Sequence, residues 1–401
     1  MNIAIIGGGF SGMFAAYLLQ KENIHVTVYE KEDHLGGHCK TIVSKGIYTD
    51  LGTLCSFGGK IKELLIELKI GYNEKFVYRN FVDENYNYTE HMCKENILVL
   101  IEELEILKSI LENYSLFLDD IHYGFIPQDL TISLSEFLEI HNLRYISYII
   151  APYLSSFGFG CIDNLPAYYV FKIFNINTIY SFLYGEKVLI INNGASQVID
   201  RLSEKISDIR YSLEVTNIEN INNKVKVETE YSIDYYDKVL ITTKLPNNVV
   251  KDYIYNQLMK KIDTNPFVSC CYEINNKDLS TTYYKSHLGQ TNKIQFFYTY
   301  CQNNRSILVA YGYGKKTKEN VSQITSDLQK LNINIKHLIT VKQWFIFPHL
   351  KNHNLSNSFY QEVMNPPKTN NIHLIGSLIS PNSIDSLYVS VKKSINNLIK
   401  T

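Results

Sequence analysis

The chain has 401 residues, of which 45% are hydrophobic and 20% charged, with a net charge of −1. That is globular composition with enough length for two domains, and it excludes a protein drawn to nucleic acid or anionic membrane by a basic excess. Seven cysteines, Cys39, Cys55, Cys93, Cys161, Cys270, Cys271 and Cys301, show no metal-ligand spacing and no C-x-x-C pair, so reduced cytoplasmic thiols and no metal centre are expected.

Residues 2–6 (NIAII) are an apolar run suited to a buried parallel strand. A glycine loop follows, then helical periodicity over Met13–Lys21 and strand alternation over His25–Tyr29. A strand that runs straight into this loop leaves no place for a cleavable signal peptide. Ile61–Leu68 reads as a helix with Leu64, Leu65 and Leu68 on one face. Asn96–Phe117 reads as a longer helix, with Ile97, Ile101, Leu104, Leu107 and Leu111 at steps of three and four. Ser133-x-x-Glu136 is a capping box opening a helix over Leu134–His141. Tyr145–Gly160 is apolar, but Pro152 and two glycines interrupt it, so it reads as a core or cavity wall and not as a membrane span.

Strand character returns over Tyr211–Thr243. Asn222-Asn223 marks a hairpin turn, and Asp237–Thr243 is another buried strand. Phe267–Ile274, Ile294–Tyr300 and Ser306–Tyr311 predict an antiparallel sheet. Asn371–Gly376 predicts a last buried strand and Ser386–Ile399 a terminal helix. The fold class expected is α/β: a discontinuous Rossmann-type domain over 1–70, 190–245 and 365–401, and an α+β substrate domain over 71–189 and 246–364.

The chemistry begins at Gly7-x-Gly9-x-x-Gly12. Gly7 permits the tight turn, Gly9 lets backbone approach a pyrophosphate, and Gly12 allows close helix–strand packing. Phe10 and Ser11 lie inside the loop, at the helix N-terminus that faces the phosphates. Glu30, at the end of the second strand, is placed to accept ribose hydroxyls, with Lys31 beside it. Strand, loop, helix, strand and acid in this order make a dinucleotide site. The order alone does not choose between FAD and NAD.

The following residues, EKEDHLGGHCK over 30–40, resemble the amine oxidase and carotenoid desaturase class of FAD enzymes. The resemblance implies FAD as cofactor. Gly36 and Gly37 would pass close to its phosphates, with His38 where many members carry Arg, and Gly52 and Thr53 of Asp50-Leu51-Gly52-Thr53 would lie near the flavin ring. It implies that Val215 meets the adenine end through a backbone amide. Gly376, Ser377, Ser383 and Ile384 would form the C-terminal flavin segment, where members often have Gly-Asp in place of Gly376-Ser377. With no second G-x-G-x-x-G, no NAD(P)H site is expected.

More narrowly, Pro152–Lys172 (PYLSSFGFGCIDNLPAYYVFK) and Gln343–His349 (QWFIFPH) resemble the flavin-dependent polyunsaturated fatty-acid double-bond isomerases. That resemblance implies that Arg79 holds a fatty-acid carboxylate and Phe182 is an aromatic gate beside the flavin. A guanidinium offers a bidentate fork to a carboxylate, and an aromatic face attracts developing positive charge. The implied reaction takes hydride from an allylic carbon to flavin N5 and returns it to the far carbon. The expected partner is a small lipophilic acid. Two alternatives stay open: a net FAD-dependent oxidoreductase (an amine oxidase or desaturase), or a non-catalytic flavin-binding partner protein.

Overall fold

The computed structural model describes all residues except 186, 278, 303, 352–354, 356–357, 365–370 and 401. Strand β1 (Asn2–Ile6), helix α1 (Phe10–Lys21) and strand β2 (His25–Tyr29) form the opening unit. The helix begins three residues earlier than its apolar periodicity indicates, because the glycine loop turns directly into it. A five-stranded parallel sheet runs Ile372–Leu374, Lys238–Ile241, β1, β2, Asp208–Arg210. Its central strands are apolar almost throughout because both faces are covered. On one face lies α1, whose Phe14 stacks on Tyr388 of the terminal helix Ile384–Lys400 at 5.1 Å.

The expected hairpin is present. Val215–Ile221 pairs with Lys224–Thr229, and both Asn222 and Asn223 have positive φ, the backbone a type I′ turn requires. Ser133 Oγ accepts from the Glu136 amide at 3.2 Å, so the N-cap half of the expected box forms.

The second sheet has seven strands in the order Ile335–Leu350, Ile262–Ile274, Arg305–Tyr313, Ile294–Gln302, Thr281–Tyr284, Arg79–Val82, Tyr88–Thr89. It is antiparallel as expected except where Arg79–Val82 joins Thr281–Tyr284 in parallel. Its long edge strand, Ile335–Leu350, is not apparent in the alternation pattern. The sheet divides its apolar side chains by face: Phe296, Tyr298 and Tyr311 belong to the large core, and Phe297, Leu308 and Ala310 to a smaller one beneath the helix Lys318–Lys330.

Two expectations for the helical region change. The long helix spans Ile97–Glu112, followed by a separate short turn at Ser115–Leu118, and its inner face is Leu100, Glu103, Leu104, Leu107 and Leu111. Ile97 and Ile101 are exposed. Glu103 points inward because its Oε2 accepts from the amides of Tyr145 (2.7 Å) and Ile146 (3.0 Å), capping the next helix, Arg144–Ser156. That helix runs through Pro152. Proline has no amide proton for the carbonyl four residues back, and this carbonyl, Tyr148 O, instead lies 3.2 Å from His91 Nε2. Burial pushes the His91 pKa down to about 4, so the ring is neutral and Nε2 is the donor.

Glu103→Ala would strip the cap from Arg144–Ser156. A loss of about 2 kcal/mol is expected, as for buried caps accepting from two amides, with urea unfolding as the measurement. An unchanged midpoint would mean that the cap carries no stability.

Candidate nucleotide and substrate site

The glycine loop is built for close approach. Gly7 has φ +109°, and a Cβ there would lie 2.5 Å from Thr242 Oγ1. A Cβ on Gly12 would lie 2.0 Å from Gly7 O. The second glycine pair docks onto this loop: Gly36 N donates to Gly8 O at 2.9 Å, and a Cβ on Gly37 would lie 3.2 Å from Gly9 Cα. No side chain caps α1 at Gly9, so the free amides at Phe10, Ser11 and Gly12 are available to an anionic ligand. Glu30 sits at the rim, its carboxylate accepting from Gly8 N (2.7 Å) and Glu32 N (3.0 Å). Leu213 N and Ser212 N donate to the carbonyls of Glu30 and Glu32, which brings buried Val215 alongside. Lys31 projects into solvent, 3.9 Å from Glu32.

The C-terminal segment closes on the same loop. Gly376 has φ +75°, and a Cβ there would lie 2.5 Å from Ser11 Oγ. Ser377 follows in a single 3-10 turn. Ser383 caps the terminal helix, which begins at Ile384, by accepting from Ser386 N at 3.1 Å. Buried Asp385 ties this helix to the loop after Thr53, accepting from Ser56 Oγ (2.7 Å), Gly58 N (3.0 Å) and Ile61 N (3.1 Å).

His38 and Gly52 meet at a third junction. Thr53 N donates to His38 O at 2.8 Å, and Gly52 has no room for a Cβ because His38 O would lie 2.2 Å from it. The His38 ring lies 5.4 Å from Trp344, and burial pushes its pKa down to about 4. It is neutral at physiological pH and brings no charge to a phosphate. Asp50 anchors the turn. Its Oδ1 accepts from Thr41 Oγ1 (2.5 Å) and Ala195 N (2.8 Å), its carbonyl accepts from Tyr298 Oη, and its amide donates to Tyr300 Oη at 3.2 Å. Burial raises its carboxyl to about 6 against these hydrogen bonds.

Arg79 and Phe182 come together although 103 positions separate them: the guanidinium carbon lies 5.0 Å from the Phe182 ring centroid and 5.7 Å from that of Tyr153. Phe182 is buried on the helix Ile176–Tyr184, and its ring lies 4.3 Å from Tyr153 and 5.1 Å from Phe57. Arg79 Nε is buried without a hydrogen-bond partner. Among the described residues no carboxylate forms an ion pair with this guanidinium. The glycine cradle, the Asp50 turn and Arg79 are linked through the segment 50–57. In that segment Cys55 feels the charges of Arg79, Asp50 and Asp385, and burial raises its thiol to about 12.

Sequence reading did not single out Tyr153, Tyr283, His91, Tyr298, Tyr300 or Trp344 as individual site residues. The signal present was period-two aromatic alternation at Phe296, Tyr298 and Tyr300, which places all three on one face.

Residues 5–68 match the model of the NAD(P)-binding Rossmann-like domain. Polyamine oxidase 2 of Arabidopsis thaliana is 28% identical over 244 residues, covering 57% of this chain and 48% of that protein. Protoporphyrinogen oxidase 2 of the same plant is 30% identical over 77 residues, 19% of this chain and 15% of that protein. The chain therefore spans half the length or less of these curated relatives. Among solved structures, a CLA-producing fatty acid isomerase from P. acnes superposes with TM-score 0.87 at 19% identity, covering 99% and 98% of the two chains. Putrescine oxidase bound to putrescine gives 0.78 at 15% identity over the full length of both. Both likenesses show a shared fold.

Two outcomes are expected here. Gly37→Val would push a side chain into the Gly9 backbone from a left-handed conformation. The purified variant should keep its circular dichroism and lose bound nucleotide at least about tenfold, since a misfit of this kind costs more than about 1.4 kcal/mol. Equal nucleotide content would remove the cradle from the site. For Asp50, a folded-state pKa of about 6 lies above the ordinary 3.8, so the stability contribution present below the lower value fades as pH rises through the higher one. Asp50→Asn cannot ionise, and its stability relative to the parent should rise between those values. Parallel pH profiles in urea titrations would show that Asp50 is not the titrating group.

Proposed function

We propose that the chain is a flavoenzyme of the FAD-dependent amine oxidase-like kind that isomerises a double bond of an unsaturated fatty acid or similar lipophilic carboxylic acid, a reading supported by its similarity to polyamine and protoporphyrinogen oxidases and by the fold it shares with a fatty acid isomerase. The observation that carries this reading is the guanidinium of Arg79, lying against two aromatic rings with no acidic side chain paired to it among the described residues. A cation in apolar surroundings needs an anion, and the fork of Arg suits a carboxylate.

The residues present fit FAD. Gly7, Gly9, Gly36 and Gly37 leave backbone bare for a pyrophosphate, the uncapped amides of α1 face it, and Glu30 is placed for ribose hydroxyls. Gly52, Thr53, Gly376, Ser377 and the N-terminus at Ser383–Ile384 would hold the ring end, with Val215 at the adenine. Bound there, FAD supplies a ring able to accept a hydride from an allylic carbon and return it to the far end of the same allyl system. The chain's own contribution is positional. Arg79 anchors the carboxylate, Phe182 and Tyr153 pack the acyl chain and turn π faces toward positive charge, and the buried aromatic wall excludes water. The 1–70, 190–245 and 365–401 segments would serve the cofactor, and 71–189 with 246–364 the substrate.

The fold supports net oxidation equally well, as in the putrescine-bound neighbour. Arg79 disfavours that particular substrate class, because an ammonium group entering beside an uncompensated guanidinium meets like charge.

The anaerobic reaction tests the proposal. With an unsaturated acid, the yellow absorbance should bleach transiently and recover without any acceptor while the double bond moves. A flavin that stays bleached until an acceptor is added would establish net oxidation instead. Arg79→Ala should keep full flavin content and bind the acid about tenfold to a hundredfold more weakly, the range of a lost charged hydrogen-bond pair.

A further inference from the structure

Arg79 and Tyr283 lie on neighbouring parallel strands, paired Thr281 with Arg79 and Tyr283 with Phe81. Alternation puts Arg79, Phe81, Thr281 and Tyr283 on one face of the sheet, while Val82 and Tyr284 belong to the smaller core beneath it. Tyr283 is the diagonal neighbour of Arg79, a separation that long side chains bridge. The Tyr283 ring is fixed on three sides, edge-on to Tyr153 at 5.0 Å and stacked on Phe81 at 5.7 Å and Phe296 at 5.6 Å. It is 4% exposed, so its phenol cannot swing to solvent. Both side chains meet the Tyr153 ring, the guanidinium at 5.7 Å and the Tyr283 ring at 5.0 Å, so the two share one neighbour on this face. Among the described residues, Arg79 Nε is buried without a hydrogen-bond partner.

We propose that Tyr283 is the positioning residue that aims the Arg79 guanidinium into the aromatic cavity and, by doing so, sets a preference for ionised carboxylates over their esters. This rests on the acid-binding reading above. The geometry favours it for two reasons. The ring faces of Phe182 and Tyr153 hold the guanidinium in a plane but do not fix its rotation within that plane, because cation–π attraction is weakly directional there. A single hydrogen bond from guanidinium N–H to the phenol oxygen would supply the missing constraint. It also leaves the phenol O–H free to donate to a carboxylate oxygen. Burial holds the phenol far above its ordinary range, so it stays a neutral donor next to the anion and never competes with it for Arg79.

The test is Tyr283→Phe, which removes one oxygen and keeps the ring packing. Binding of linoleic acid and of methyl linoleate to the flavin-loaded protein is followed by the flavin difference spectrum. The expected result is about tenfold weaker binding of the acid, unchanged binding of the ester, and unchanged flavin content. If the variant loses acid and ester alike, Tyr283 only shapes the cavity and the proposal is overturned. If it loses neither, Arg79 needs no aim from Tyr283 and the proposal is likewise overturned. If the unmodified protein holds flavin but binds neither ligand, the acid-binding reading itself fails, an outcome visible before any variant is made. Arg79→Lys provides the control: it retains the charge but loses the fork, and should lose acid binding whichever way Tyr283 behaves.

Discussion

The structure depends on two glycine segments meeting backbone to backbone. The hydrogen bond from Gly36 to Gly8, with Gly37 against Gly9, brings a loop from beyond β2 onto the N-terminus of α1. Side chains at these positions would hold the two strands of backbone apart. Once they touch, His38 follows, its carbonyl receives Thr53, and the turn 50–53 is carried against the tyrosines of the second sheet. Gly376 closes the ring from the other end of the chain by lying on Ser11. A ligand cradle assembled from four distant segments thus has a single local origin.

The substrate side obeys a different rule. There the organising fact is an uncompensated positive charge amid aromatic rings. Burying a guanidinium is unfavourable unless something negative or π-rich faces it. The protein provides the π faces, and on the function proposed above the negative partner comes with the substrate. An unpaired guanidinium of this kind would repel an incoming ammonium group.

The sequence was most legible where backbone conformation leaves a signature. The G-x-G-x-x-G loop, the Asn222-Asn223 turn and the Ser133 box each demand a residue type, and each stands where expected. Sidedness was less legible. Ile101 and Glu103 compete for the interior of their helix, and hydrophobic periodicity favours the isoleucine. The carboxylate wins because it satisfies two amides of another helix some forty residues away, a partner that no local window contains. The site aromatics were hidden for a related reason. In a chain with 31 tyrosines and 19 phenylalanines, composition cannot say which rings face a cavity. Only the register of Arg79–Val82 on Thr281–Tyr284, a pairing across two hundred residues, selects Tyr283.

The proline at 152 carries one more implication. A helix with a missing amide proton has an idle acceptor, and His91 has taken it. Another amino acid at 152 would bring its own proton to the Tyr148 oxygen, whose two lone pairs would then serve both the helix and the imidazole that stacks on Phe81 at 3.9 Å. Conversely, an aliphatic residue at 91 would leave that oxygen to solvent. Positions 91 and 152 are thus tied to one and the same backbone oxygen, though distant in the chain.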